Sequence, residues 1–184
     1  ATWADWNAAG RRLESGHTNC GRERASAFAP AVDEGARVLI LGSLPGAMSL
    51  ARAEYYGNPR NAFWRLVGEV IGTDLVPLPY EQRLAALRRA RIGLSDVIAS
   101  AVRRGSLDAA IRDAEPADLP ALVGRLPELR AIAFNGGKAA RIGRRQLVPA
   151  SGPVLLDLPS SSPAHAGMPF EDKLRRWGVL AAYF

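Results

Sequence analysis

Residues 37–64 read RVLILGSLPGAMSLARAEYYGNPRNAFW, and the opening of this stretch decides the fold class. Arg37–Gly42 is a short β-branched and apolar run that ends in glycine, the pattern of a buried strand feeding a loop. Three later runs share that character. Ile92–Val97 is one; Leu129–Phe134 stops at Asn135, Gly136 and Gly137; Val154–Leu158 stops at Pro159 and three serines. Between them the apolar residues fall at helical spacing, with Phe63, Leu66, Val67 and Val70 inside Asn61–Ile71 and Leu84, Leu87 and Ala90 inside Tyr80–Ala90. Leu119–Leu126 predicts a further helix and Phe170–Phe184 a closing one. Apolar strands separated by helices imply crossover connections, hence an α/β fold of three layers, α/β/α, around a central four-stranded parallel sheet. Ligands of such sheets sit beyond the carboxyl ends of the strands. That rule gathers Gly42 with its GSLPG turn, Asp96, Asn135 and the Ser160 loop at one edge, although they lie far apart in the chain.

The 184 residues are 48% hydrophobic and 23% charged, ordinary values that exclude disordered and fibrous classes. Residues 1–28 carry no strand signal and read as a helical or irregular extension, and residues 29–184 as a single domain. No run of about 18 apolar residues occurs, and Ala1–Arg24 has no apolar signal core, so a soluble cytoplasmic protein without membrane contact is expected. Cys20 is the single cysteine. It permits no internal disulfide and no multi-cysteine zinc site, in keeping with a reducing compartment. The net charge of +6 suits an anionic partner such as nucleic acid, whose phosphates attract basic side chains. Only Lys138 and Lys173 are lysines, and a compositional preference for arginine and alanine accounts for the charge equally well.

Gly42, Pro45 and Gly46 after a strand predict a tight turn where backbone approaches a ligand closely. Tyr55, Tyr56, Asn58 and Asn61 then supply aromatic faces and amides, which suit stacking on a nucleobase and hydrogen bonding to its edge. The same residues also fit an aromatic loop packed on the core, with asparagines as turn and cap residues. A dinucleotide fold would place GxGxxG after the first strand, and GSLPG does not supply it.

Read in order, GSLPG at Gly42, YYGNPRNAFW at Tyr55, GLSDV at Gly93, GSLDAAI at Gly105, FNGGKA at Phe134 and LPSSSPA at Leu158 resemble the hypoxanthine-DNA glycosylase branch of the uracil-DNA glycosylase superfamily. These pieces span roughly Phe28–Met168. The resemblance implies a monofunctional glycosylase acting on a flipped, deaminated base in DNA, with hypoxanthine from deoxyinosine favoured. Uracil or mismatched thymine excision on the same fold is the alternative, and a catalytically silent damaged-DNA binding module is a third reading.

Departures from better-known relatives redistribute the roles that the resemblance implies. Where those relatives carry an acidic residue or asparagine that positions the hydrolytic water, this chain has Leu44, which holds no water. The amides Asn61 and Asn135 become the catalytic candidates, Asn61 to orient water and Asn135 as a second catalytic or base-contacting amide, or the reverse. An amide suffices, because an oxocarbenium-like transition state asks for oriented water and a stabilised leaving base more than for a strong base. Gly42, Ser43 and Leu44 fall in the base-binding turn. Tyr56 corresponds to the aromatic that stacks on the extruded base, and Asp96 to the side chain that reads its edge, an ionised carboxylate being suited to hypoxanthine N1–H.

Ser160, Ser161, Ser162 and Pro163 correspond to the second signature loop, which touches phosphate and enters the minor groove, with His165 flanking the gap in the duplex. Arg103, Arg104, Ser106 and Lys138 are candidate phosphate contacts. Neither lysine sits in a pattern that points to a depressed pKa, so no Schiff base and no lyase activity are expected. The expected enzyme works as a monomer, with no metal and no organic cofactor. His17 lies outside the matched region and receives no role.

Overall fold

The computed structural model describes residues 24–103, 107–147 and 152–184. Arg104, Ser106, His17, Cys20 and most of the N-terminal extension lie outside the described residues.

Four strands, β2 (Val38–Gly42), β3 (Ile92–Asp96), β6 (Ala131–Asn135) and β7 (Val154–Leu158), form a parallel sheet in the order β3-β2-β6-β7. The central strand explains why its sequence is a continuous apolar run rather than an alternating one. Val38 and Ile40 face one layer of helices, while Leu39 and Leu41 face the other, so every side chain of β2 is buried. On the first face, α2 (Phe63–Ile71), α3 (Tyr80–Arg89) and α6 (Phe170–Trp177) contribute Phe63, Leu66, Val67, Leu84, Leu87 and Trp177. On the second, α4 (Leu119–Val123) and α5 (Gly137–Gln146) contribute Leu119, Leu122, Ala139 and Ala140 against Ile132 and Phe134. This is the three-layer α/β/α arrangement expected from the sequence. Among the described residues no helix is long and apolar enough to cross a membrane.

Three features depart from the sequence reading. A second, antiparallel sheet joins β1 (Arg24–Ser26), β4 (Ile98–Val102) and β5 (Arg112–Pro116) in the order β1-β4-β5. Its strands escape pattern reading because β5 is exposed along its whole length and β1 is three residues long. Arg24–Ser26 therefore belongs to a sheet, although no strand was expected before residue 29. A short helix, α1 (Ala47–Arg52), follows the GSLPG turn and is too brief to show a period. The closing helix ends at Trp177, and Gly178–Tyr183 continues as a 3-10 turn.

Register decides what meets at the sheet's carboxyl edge. Gly42 lies directly beside Asp96, Leu41 beside Phe134, and Asn135 beside Leu158. The chain leaves β3 through Val97, whose N–H donates to Gly42 O, and then enters β4.

Candidate active site

Beyond that edge lies a cavity of about 230 Å³. It is smaller than the roughly 300–1,000 Å³ of sites for drug-sized ligands and suits one heterocycle. Of the residues singled out in the sequence, Gly42, Ser43, Leu44, Tyr56, Asp96, Asn135, Ser160, Ser162 and His165 line it. Asn61, Ser161, Pro163, Arg103 and Lys138 are not among the lining residues.

Gly42 closes one wall because nothing larger fits. A Cβ there would stand 2.5 Å from Asp96 Oδ1 and 3.3 Å from the Tyr56 hydroxyl. Asp96 is 5% exposed, and its Oδ2 has no hydrogen-bond partner among the described residues. Burial pushes its carboxyl up to about 7, Asp108 adds to the rise, and the Arg103 guanidinium opposes it. The ionised form, the one suited to accept from hypoxanthine N1–H, is thereby disfavoured, because desolvation outweighs the nearby cation.

Tyr56 adopts a left-handed backbone, φ 53°, which is strained for a residue with a Cβ. The conformation turns its ring onto Phe63, with centroids 3.6 Å apart and planes 11° from parallel. Its phenol is held well above its ordinary pKa by burial and by Asp96, so it stays neutral; Asn135 acts as a hydrogen-bond partner. Tyr55 has a different task. It is buried against Phe28 edge-on, and its hydroxyl donates to Ala29 O at 3.2 Å. The loop between α1 and α2 is fixed from below, where Ser49 Oγ accepts from Gly57 N–H at 3.0 Å.

Asn135 grips the serine loop with both ends of its amide. Its Oδ1 accepts from Ser161 N–H, and its Nδ2 donates to Ser161 Oγ, each at 2.8 Å. Ser161 is 1% exposed, and its carbonyl accepts from Ala62 N–H at 3.0 Å. One buried serine thus ties the Asn135 strand end to the residue after Asn61. Asn61 itself works as a turn and cap: its Oδ1 accepts from Phe63 N–H at 3.0 Å, at the start of α2. Asn58 does the same for Arg60. Gly136, at φ 99°, lets the chain pass within 3.0 Å of Ser160, measured from an ideal Cβ. The loop is further anchored by Trp177 Nε1 donating to Pro159 O and Lys173 Nζ donating to His165 O.

Three sequence expectations change. Arg103 was expected at a phosphate, yet it is 8% exposed and donates to the carbonyls of Leu44 and Pro45, bracing the GSLPG turn from within. Ser161 is a buried strut rather than a surface contact. Both lysine ammonium groups are pushed below their ordinary pKa by burial, although Lys138 donates to Asp108 O and Lys173 to His165 O.

Asp108, passed over in the sequence, lines the cavity and accepts from Ser43 Oγ at 2.6 Å. Its only signal was a carboxylate inside GSLDAAI, within the matched region. Among the described residues no group of three or more His, Cys, Asp or Glu is placed to hold a metal ion.

The site thus offers an aromatic face, a carboxyl whose ionisation burial disfavours, an amide and small hydroxyls around a slot for one ring. A family model described as the uracil DNA glycosylase superfamily matches residues 29–180. The chain is similar to the hypoxanthine DNA glycosylase of Methanosarcina acetivorans, 45% identical over 138 residues that cover 75% of this chain and 86% of that protein. It is also similar to the hypoxanthine DNA glycosylase of Methanosarcina barkeri, 46% identical over 112 residues, 61% of this chain and 71% of that protein. A solution NMR structure from Methanosarcina acetivorans, described as a candidate uracil DNA glycosylase, superimposes with a TM-score of 0.77 at 40% identity, covering 86% of this chain and 97% of that one. With the sheet order, the cavity at its carboxyl edge and the matched region in agreement, the chain belongs to the uracil DNA glycosylase superfamily.

Proposed function

We propose that the protein is a DNA glycosylase that hydrolyses the N-glycosidic bond of an everted deaminated base, hypoxanthine from deoxyinosine, in base-excision repair. The observation that carries this reading is the meeting of Gly42, Tyr56, Asp96 and Asn135 around one base-sized slot. The similarity to hypoxanthine DNA glycosylases supports the choice of base.

The everted base stacks on Tyr56, a contact worth about 1–3 kcal/mol. Phe63 backs the ring and holds it in place. Asp96 faces the base edge, while Asn135 and Asn61, joined through Ser161 and Ala62, orient water toward C1′. Ser160, Ser162, Pro163 and His165 contact the DNA backbone beside the gap. Leaving-base stabilisation and oriented water carry the reaction, with no metal or organic cofactor. Residues 29–184 act as one monomeric catalytic unit. Neither lysine is among the residues that line the cavity, and both donate to backbone carbonyls, those of Asp108 and His165, which supports hydrolysis without strand cleavage.

Oligonucleotide duplexes carrying deoxyinosine, uracil or a G·T mismatch test the choice of base. Release from deoxyinosine is expected to be the fastest; uracil release without inosine release rejects it. Asn61→Ala and Asn135→Ala, alone and together, are expected to lower release at least about tenfold, or roughly 1.4 kcal/mol. Melting temperatures followed in parallel separate lost catalysis from lost structure. If neither variant slows release, the amide assignment fails.

A further inference from the structure

The carboxyl of Asp96 has an unusual setting for a group that faces a substrate. It closes the end of β3, lies against Gly42 where no side chain fits, and is 5% exposed. Its Oδ2 finds no donor among the described residues. Among the described residues, the cation that acts on it is no ion-pair partner, since Arg103 donates to the carbonyls of Leu44 and Pro45. Every other neighbour withholds charge compensation. Asp108 faces it as a like charge from the 3-10 turn before β5, and Tyr55 and Tyr56 face it from the loop after α1 as neutral phenols. His165 lines the same cavity. Lys138 is turned to the Asp108 carbonyl. A buried carboxylate oxygen without a donor is costly, whereas a protonated one turns the same atom into a donor.

Resting on the substrate reading above, we infer that Asp96 meets the everted base as a neutral carboxylic acid, its hydroxyl donating to O6 of hypoxanthine while its carbonyl oxygen accepts from N1–H. The complementary edge is a lactam, –NH–C=O. Hypoxanthine presents it at N1 and C6.

The pairing also acts on the reaction, and Asp96 is then a catalytic residue. Rupture of the C1′–N9 bond leaves its electron pair on the purine, and conjugation through C4, C5 and C6 carries part of that charge to O6. In this pairing the Asp96 hydroxyl donates to that oxygen, and the hydrogen bond strengthens as charge develops, which is the condition for lowering a barrier. The hydroxyl part of water bonds to C1′, and the water's remaining proton ends on the released purine through solvent. Asp96 keeps its own proton, so the balance closes without another reactant.

The position of its titration near pH 7 makes the inference measurable. Single-turnover release from a deoxyinosine duplex is followed between about pH 5.5 and 9. The expected profile is a plateau on the acid side and a fall of about tenfold per pH unit above roughly 7. Asp96→Asn keeps one donor and one acceptor in the same places and cannot ionise. It is expected to remain within about tenfold of the wild-type plateau and to lose the alkaline fall. His165→Gln is expected to retain that fall, whatever its rate.

A wild-type rate that rises through pH 7 would overturn the inference and leave the deoxyinosine reading standing. So would a folded Asp96→Asn variant without activity at any pH, or a fall that disappears in His165→Gln. The wild-type profile decides the matter even if a variant does not fold. Absence of deoxyinosine release at every pH strikes the substrate reading itself, and the inference with it.

Discussion

Asp96 shows how one residue links the site to the stability of the fold. An unfolded aspartate titrates near pH 3.9, and burial raises this one to about 7 in the folded chain. As pH rises from 4 to 7, the unfolded state therefore gives up its proton first. The stability that Asp96 contributes is complete below about pH 4 and is lost as pH climbs through the folded value. Replacement by asparagine removes the titration. Asp96→Asn is expected to gain on the wild type in melting temperature as pH goes from about 4 to 8, with a free-energy change on the order of a few kcal/mol across that range. Melts at the two ends check it, and an equal difference at both would show that the buried carboxyl does not titrate as described. Asp96 thus illustrates how a binding site can carry a cost to folding: the orphan oxygen destabilises the empty protein at neutral pH.

At the scale of elements, the site is built by bracing loops rather than by the sheet alone. Within the GSLPG turn, Leu44 and Pro45 lie between β2 and α1 in no regular element, and Arg103, just past the end of β4, supplies donors to their carbonyls. Arg103→Met keeps much of the apolar stem but leaves both carbonyls without these donors. Stability is expected to fall by about 1–3 kcal/mol. Base release should fall further than that loss explains at a temperature where the variant is fully folded, because the turn also forms the cavity wall. A variant whose melting temperature and release rate both match the wild type would contradict the bracing role. The serine loop is held in the same manner by Asn135, Ala62, Trp177 and Lys173, contributed by a strand end, a helix start and the last helix. The two that hold Ser161, Asn135 and Ala62, are far from it in sequence, which is why Ser161 reads as a surface contact in the chain and is a strut in the fold.

For the whole molecule, the net charge of +6 governs the approach of a polyanion. The logarithm of the affinity for a lesion duplex is expected to fall linearly with the logarithm of salt concentration, losing at least about tenfold between roughly 50 and 200 mM. Affinity that stays flat over that range would show that phosphate contacts are not what holds the DNA. The amino-acid sequence by itself determined the parallel sheet and most of its covering helices. Each central strand is a compact apolar run, and α2 and α3 repeat their apolar residues at the helical period, so local pattern and final environment coincide. It also pointed to Gly42, Asp96 and Asn135, because strand ends in such a sheet meet at one edge, and to Tyr56 through the resemblance carried by YYGNPRNAFW. What only the tertiary structure decided is the work that each polar group does. The β1-β4-β5 sheet pairs segments such as Arg24 and Val102 that share no local signal. Arg103 and Ser161 became buried struts, and burial came to disfavour the ionised form of Asp96. Hydrogen-bond partners and desolvation are set by residues brought from elsewhere in the chain, and no local pattern encodes them.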